Sequence, residues 1–132
     1  MSGLPLNKKV LVVDDFSTMR KIVCNVLKQI GYVNIIEAED GAAALKILRD
    51  DKVDLVVTDW NMPKIDGLGL LENIRANNRT KDIPVLMVTA EGMKDKVIIA
   101  AKAGVDNYVV KPFTAETLSE KISQTFKRRE IC

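Results

Sequence analysis

Residues 53–67 read VDLVVTDWNMPKIDG, and the rest of the chain falls into place around them. The run 53–58 is short, apolar and rich in β-branched side chains, the pattern of a strand buried on both faces. It ends in a carboxylate, Asp59, followed by a Trp-Asn-Met-Pro turn. Asp66 and Gly67 then supply a cap and a turn before a helical pattern resumes. An acid at the carboxyl end of a buried parallel strand sits where open α/β sheets bind ligands. Alone, the stretch admits two readings: a loop aspartate satisfying nearby backbone N–H groups, or a functional carboxylate.

Upstream, residues 9–13 (KVLVV) form a compact strand that ends in Asp14 and Asp15. From 16 to 30, Met19, Ile22, Val23, Val26, Leu27 and Ile30 recur at helical spacing, and Gly31 suits a left-handed C-cap. A shorter strand is predicted over 34–37, and Asp40 caps a second helix to about residue 50, with Ala44, Leu45, Ile47 and Leu48 inward. Downstream, Asp66 caps a third helix with Leu68, Leu71 and Ile74 inward, fading over 76–79. A strand over 84–88 (PVLMV) ends in Thr89, Ala90 and Glu91, and a fourth helix closes at Gly104. Residues 107–110 form a fifth strand ending in Lys111-Pro112, and Thr114 caps a last helix carrying Leu118, Ile122 and Phe126. Residues 1–7 read as a loose leader. Trp60 reads as either a partly exposed lid beside Asp59 or a core anchor, with the lid favoured, and Val97, Ile98 and Ile99 either leave one residue open to a partner or all pack in an Ala-rich helix.

Strands alternating with helices throughout predict repeated right-handed βα units, hence an α/β protein with helices on both faces of a parallel sheet. The expected order is 2-1-3-4-5, a doubly wound (βα)5 three-layer sandwich.

The 132 residues suit one domain, 1–132, large enough for a core without staples. Hydrophobic content of 47% and charged content of 29% exclude disordered and membrane classes. A net charge of +2 gives no case for nucleic acid, and 127–129 (KRR) reads as a solvated last helical turn. The absence of histidine removes histidine acid–base catalysis and histidine metal sites. Two cysteines, Cys24 within a helix and Cys132 at the end, predict no disulfide framework and favour a reducing, cytoplasmic setting. No segment has signal-peptide or membrane-span character. A monomer is expected.

Parallel strands deliver their carboxyl ends to one edge of the sheet. That edge would gather Asp14, Asp15 and Asp59, the Thr89 hydroxyl and the Lys111 ammonium. Carboxylates so close repel one another unless a cation joins them. An all-oxygen set suits Mg²⁺, which keeps several waters and commonly pairs with phosphate.

Asp14-Asp15 after the first strand, Asp59 after the third, Thr89-Ala90 after the fourth and Lys111-Pro112 after the fifth resemble the receiver domain of two-component response regulators, over roughly residues 8–127. The runs DWNMP, TAE and YVVKPFTAETL are most similar to its chemotaxis members, which have the flavodoxin-like fold. The resemblance implies that Asp59 accepts a phosphoryl group from a phosphohistidine on a sensor histidine kinase. It also implies Mg²⁺ held by Asp14, Asp15, Asp59 and the backbone carbonyl of Asn61. Lys111 would pair with a phosphoryl oxygen across a cis bond to Pro112, and Thr89 would bond another. Ala90 leaves the group reachable, and Asn61 and Glu91 occupy positions that tune its hydrolysis. Movement of Thr89 would let Tyr108 turn inward and change the face of the fourth helix, fifth strand and fifth helix. The partners implied are a chemotaxis-type kinase, a flagellar motor switch protein and a phosphatase. A phosphorelay intermediate and a phosphate sink are the alternatives within the family.

Other classes fare worse. An aspartyl-nucleophile phosphatase needs a second acid two residues past the nucleophile, where Asn61 stands. A flavodoxin-like electron carrier needs a Ser/Thr-rich phosphate loop after the first strand, and a DNA-binding regulator needs an output domain.

Overall fold

Every residue of β3 (Leu55–Asp59) is buried, because the strand lies at the centre of a five-stranded parallel sheet and is covered on both faces. The computed structural model describes residues 6–90 and 94–131. The other elements are β1 (Lys9–Val13), α1 (Ser17–Ile30), β2 (Asn34–Ala38), α2 (Gly41–Asp50), α3 (Gly67–Ala76), β4 (Val85–Ala90), α4 (Lys94–Ala103), β5 (Asn107–Lys111) and α5 (Ala115–Ile131). Sheet order is β2-β1-β3-β4-β5, as expected.

Strand alternation divides the core into two layers. Val10, Val12, Leu55 and Val57 point to the side covered by α1 and α5, where Val23, Leu27, Leu118 and Ile122 meet them. Leu11, Val13, Val56 and Met87 point to the side covered by α2, α3 and α4, against Ala44, Leu48, Leu70, Leu71, Ile74 and Ala100. Each large side chain removed completely from water contributes about 1.5–3 kcal/mol, so these two layers are the main force holding the helices to the sheet.

Local chemistry sets the helix ends. Asp40 accepts from the Ala43 N–H at 2.7 Å, Asp66 from Gly69 at 2.8 Å, and the Thr114 hydroxyl from Thr117 at 3.1 Å. Gly31 and Gly104 take the positive φ values that end α1 and α4.

Several sequence expectations are corrected by packing. The third strand starts later than residue 53 and includes Asp59, because the ladder pairs Leu55 with Val10 and Asp59 with Val88. Likewise β4 runs through Thr89 and Ala90, and β5 includes Lys111, paired with Ala90. In α1, Ile22 is exposed and Cys24 is buried in its place, because the inward face is centred on Val23, Cys24 and Leu27. The edge strand β5 is only half covered, leaving Val110 exposed. The leader is not wholly loose, since Leu6 packs against the α1–α5 layer. Nor is the last turn of α5 simply solvated: Arg129 is ion-paired to Asp106 at 2.6 Å.

Cys24 and Tyr32 each carry a titratable group into the α1–α5 layer. Burial pushes the Cys24 thiol up to about 11, so at neutral pH it is a small inert hydrophobe. Burial also pushes the Tyr32 phenol up to about 12, and its hydroxyl has no hydrogen-bond partner among the described residues. An unpaired buried hydroxyl costs about 1–3 kcal/mol. Tyr32→Phe is therefore expected to leave stability unchanged or raise it by about 1 kcal/mol. Urea denaturation checks this, and a loss above about 1 kcal/mol would show that the hydroxyl is satisfied in solution.

Candidate functional site

The first acidic turn is built at the end of β1. The Asp14 N–H donates to the Ala38 carbonyl at 3.2 Å, and its carboxylate accepts from the Phe16 N–H at 2.9 Å. Arg20, one turn into α1, donates to the Asp14 carbonyl at 2.7 Å and to Glu37 at 2.9 Å. The Asp14 carboxylate is thus fixed and buried, while Asp15 is exposed. Burial raises the pKa of Asp14 above the ordinary value, against the lowering effect of the Phe16 bond. The charges of Asp59 and Asp15 raise it further.

The second part is built at the end of β3. The Trp60 N–H donates to the Val88 carbonyl at 3.1 Å, and the Gly67 N–H donates to the Trp60 carbonyl at 2.8 Å. This draws the start of α3 hard against β3. A Cβ on residue 67 would lie 2.5 Å from the Asp59 carbonyl oxygen, which is why glycine follows the capping acid. Asp66 is engaged as that cap and stands outside the acidic cluster.

Carboxylate oxygens of Asp14, Asp15 and Asp59 all lie within 4.8 Å of one another. The Lys111 ammonium, delivered by β5, is 2.8 Å from Asp59 Oδ1. The Lys111–Pro112 peptide is cis, as expected. Next to the cluster an open cleft of about 370 Å³ is lined by Asp15, Asn61, Met62, Pro63 and Asp66. Three hard oxygen donors beside open solvent fit a small divalent cation that retains waters. One lysine cannot balance three carboxylates; burial is the main cause of the raised pKa of Asp14, and the neighbouring charges of Asp59 and Asp15 add to it while Lys111 opposes it.

Thr89 is buried beside Ala90, donating to the Ala90 carbonyl at 3.3 Å. It borders a small apolar cavity shared with Trp60, Met87, Ala100 and Tyr108. Tyr108 is half-buried, with the Lys121 ammonium 5.2 Å from its ring centroid. Trp60 is not a lid. It is 6% exposed and packs into the α2–α4 layer, because its pinned backbone turns the indole under α4. Ile98 and Ile99 are both exposed on α4, more than the single residue expected, and Val97 is half-buried. Glu91 lies outside the described residues.

Every expected site residue that is described therefore gathers at one edge of the sheet or in the space between β4, α4 and β5. Sequence reasoning missed Arg20, which fixes the Asp14 turn, and Lys96. Lys96 donates to Asn61 Oδ1 at 3.2 Å and lies 5.4 Å from the Trp60 ring centroid. The topology offered a signal for Lys96: the first turn of a helix that follows β4 must lie at the same edge as Asp59.

One edge of the parallel sheet thus presents acids from two strands, a hydroxyl from a third and an ammonium from a fourth. The response regulator receiver domain family matches residues 10–123, and the chain belongs to it. Among its relatives are chemotaxis proteins. It is 55% identical to Chemotaxis protein CheY-3 of Vibrio cholerae over 92% of this chain and 94% of that one. It is also 55% identical to Chemotaxis protein CheY of Pseudomonas aeruginosa, over 91% of this chain and 97% of that one. Solved structures agree. CheY4 of Vibrio cholerae superposes with a TM-score of 0.81 at 33% identity, covering 92% of this chain and 98% of that one. A receiver domain protein from Clostridium thermocellum gives 0.84 at 32% identity, covering 94% and 98%. The chain is thus a response regulator of the chemotaxis two-component type, with the flavodoxin-like fold of that family.

Proposed function

We propose that this chain is a stand-alone, monomeric cytoplasmic regulator that accepts a phosphoryl group on Asp59 from a chemotaxis-type sensor histidine kinase. The observation that carries this reading is the Lys111 ammonium at 2.8 Å from Asp59 Oδ1, beside the clustered acids Asp14 and Asp15. An oxygen of Asp59 attacks phosphorus while the bond from phosphorus to the kinase histidine nitrogen breaks. That nitrogen keeps the electron pair, and an acyl phosphate results. Asp14, Asp15, Asp59 and the Asn61 carbonyl would hold Mg²⁺, which when bound screens the repulsion between carboxylate and phosphoryl group. Lys111 pairs with one phosphoryl oxygen, and Thr89 donates to another. Ala90 leaves space for the incoming group, and Glu91 joins Asn61 in governing its loss.

When Thr89 moves toward the phosphoryl group, the cavity it borders gives Tyr108 room to turn inward. The exposed Ile98, Ile99 and Val110 on α4 and β5 support an output face there, fitted to a flagellar motor switch protein. The chain itself is a signalling protein, and its own chemistry is limited to taking up and losing the phosphoryl group, with a phosphatase as a further partner.

Incubation with acetyl phosphate and Mg²⁺, followed by peptide mapping, tests the reading: one phosphoryl group is expected, on Asp59. A pull-down with the motor switch protein tests the output. Phosphorylation is expected to tighten binding about tenfold or more, the usual scale of such couplings. Equal binding in both states would favour a relay intermediate or a phosphate sink.

A further inference from the structure

Lys96, in the first turn of α4, makes two contacts at once. Its ammonium is 3.2 Å from Asn61 Oδ1 and 5.4 Å from the centroid of the Trp60 ring. An ammonium group only donates, so it is the amide oxygen of Asn61 that faces it. Over the indole, the same charge is attracted by the ring quadrupole. Among the described residues Lys96 has no carboxylate partner, so both contacts draw on an otherwise uncommitted charge. One side chain thereby ties the two residues after Asp59 to a helix 35 positions further along.

Asn61 is exposed and lines the open cleft beside the acidic cluster. It is therefore placed where water would approach an acyl phosphate on Asp59. Hydrolysis forms a bond from the water oxygen to phosphorus and breaks the bond from phosphorus to the Asp59 oxygen. Asp59 leaves as a carboxylate, and the water gives up a proton to solvent as inorganic phosphate departs. The attacking water is oriented by a group that accepts one of its hydrogens, a task an amide oxygen performs well. Lys96 holds that oxygen turned toward α4 instead.

We infer that Lys96 is a positioning residue which sequesters the amide oxygen of Asn61 and so lengthens the life of the phosphoryl group. This rests on the reading of Asp59 as the acceptor. Freed of Lys96, the Asn61 oxygen can turn into the cleft and hydrolysis accelerates. Trp60 is the sole tryptophan, so its emission reports the same contact without phosphorylation or metal.

The test charges the protein with acetyl phosphate and Mg²⁺, removes the donor, and follows phosphate release. Lys96→Met is expected to shorten the lifetime on the order of threefold to tenfold. Lys96→Arg, whose guanidinium can both donate and stack, keeps the lifetime near that of the native chain. In an Asn61→Ala background, Lys96→Met is expected to have no further effect. Metal-free, unphosphorylated Lys96→Met is expected to show altered Trp60 emission. Equal lifetimes with and without Lys96, or an equal effect in the Asn61→Ala background, overturn the inference alone. A native chain that takes up no phosphoryl group overturns both the inference and the proposed function.

Discussion

Asp59→Asn is expected to abolish phosphoryl uptake while leaving the fold intact. The carboxamide matches the carboxylate in shape, but its oxygen is a poor nucleophile and cannot yield an acyl phosphate. The backbone that places residue 59 depends on the β3–β4 ladder, the Trp60 N–H bond to Val88 and the Gly67 N–H bond to Trp60. None of these uses the Asp59 side chain. Lys111 loses its ion partner at 2.8 Å, but it is a partly exposed lysine that water can solvate. Repulsion from Asp59 also disappears at Asp14, so the two changes oppose each other. Stability is expected to change by less than about 1 kcal/mol, and Mg²⁺ affinity to fall about tenfold or more, since one of three anionic oxygen donors is gone. Acetyl phosphate labelling with mass spectrometry, thermal melts and a Mg²⁺ titration of Trp60 fluorescence read these three effects separately. Labelling at the native rate would overturn the assignment of Asp59.

Asp106→Ala is expected to produce the largest loss of stability. Asp106 Oδ1 accepts from Arg75 at 2.7 Å, from Arg129 at 3.0 Å and from the Val85 N–H at 2.8 Å. Its Oδ2 accepts from Arg129 Nε at 2.6 Å. Arg75 also donates to the carbonyls of Gly104 at 3.0 Å, Lys81 at 3.0 Å and Ile83 at 2.6 Å. One carboxylate thereby ties α3, the start of β4, the approach to β5 and the end of α5. Burial lowers the pKa of Arg75, and the Asp106 charge opposes that shift, so removing Asp106 strands a partly buried guanidinium. Breaking a buried pair costs about 3–5 kcal/mol; with Arg129 partly in water, about 3 kcal/mol is expected here. The melting temperature would fall by roughly 10 °C. Asp106→Asn keeps an acceptor for the Val85 N–H and should lose less. Urea unfolding measures both, and a loss below about 0.5 kcal/mol for Asp106→Ala would show that the network contributes little. The network lies at the amino edge of the sheet, opposite Asp59, so phosphoryl uptake in the cold should survive.

The alternation of strands and helices was legible because its signals are local. A β-branched run such as LVV, an Asp at an N-cap and a Gly at a C-cap act through neighbouring residues. Topology rules then carried these elements to a sheet order, and parallel strands must bring Asp14, Asp59, Thr89 and Lys111 to one edge. The acidic cluster was therefore readable without any contact being known.

What escaped the sequence depends on partners far away along the chain. The inclusion of Asp59 and Lys111 in their strands follows from ladder register, which is a property of pairs of strands. A tryptophan beside a site can face either way, as a lid or as a core anchor. Only the packing of α4 over the turn decides that Trp60 is buried. Asp106 and Arg129, 23 residues apart, meet because α5 crosses back over the sheet. The same holds for Lys96 and Asn61 at the rim of the site. By itself, then, the sequence determined the fold and the identity of the groups at the sheet edge, since both follow from short-range patterning and a chirality rule. The tertiary structure alone decided which side chains hold those groups in place, because helix packing sets contacts between residues that local patterning does not relate.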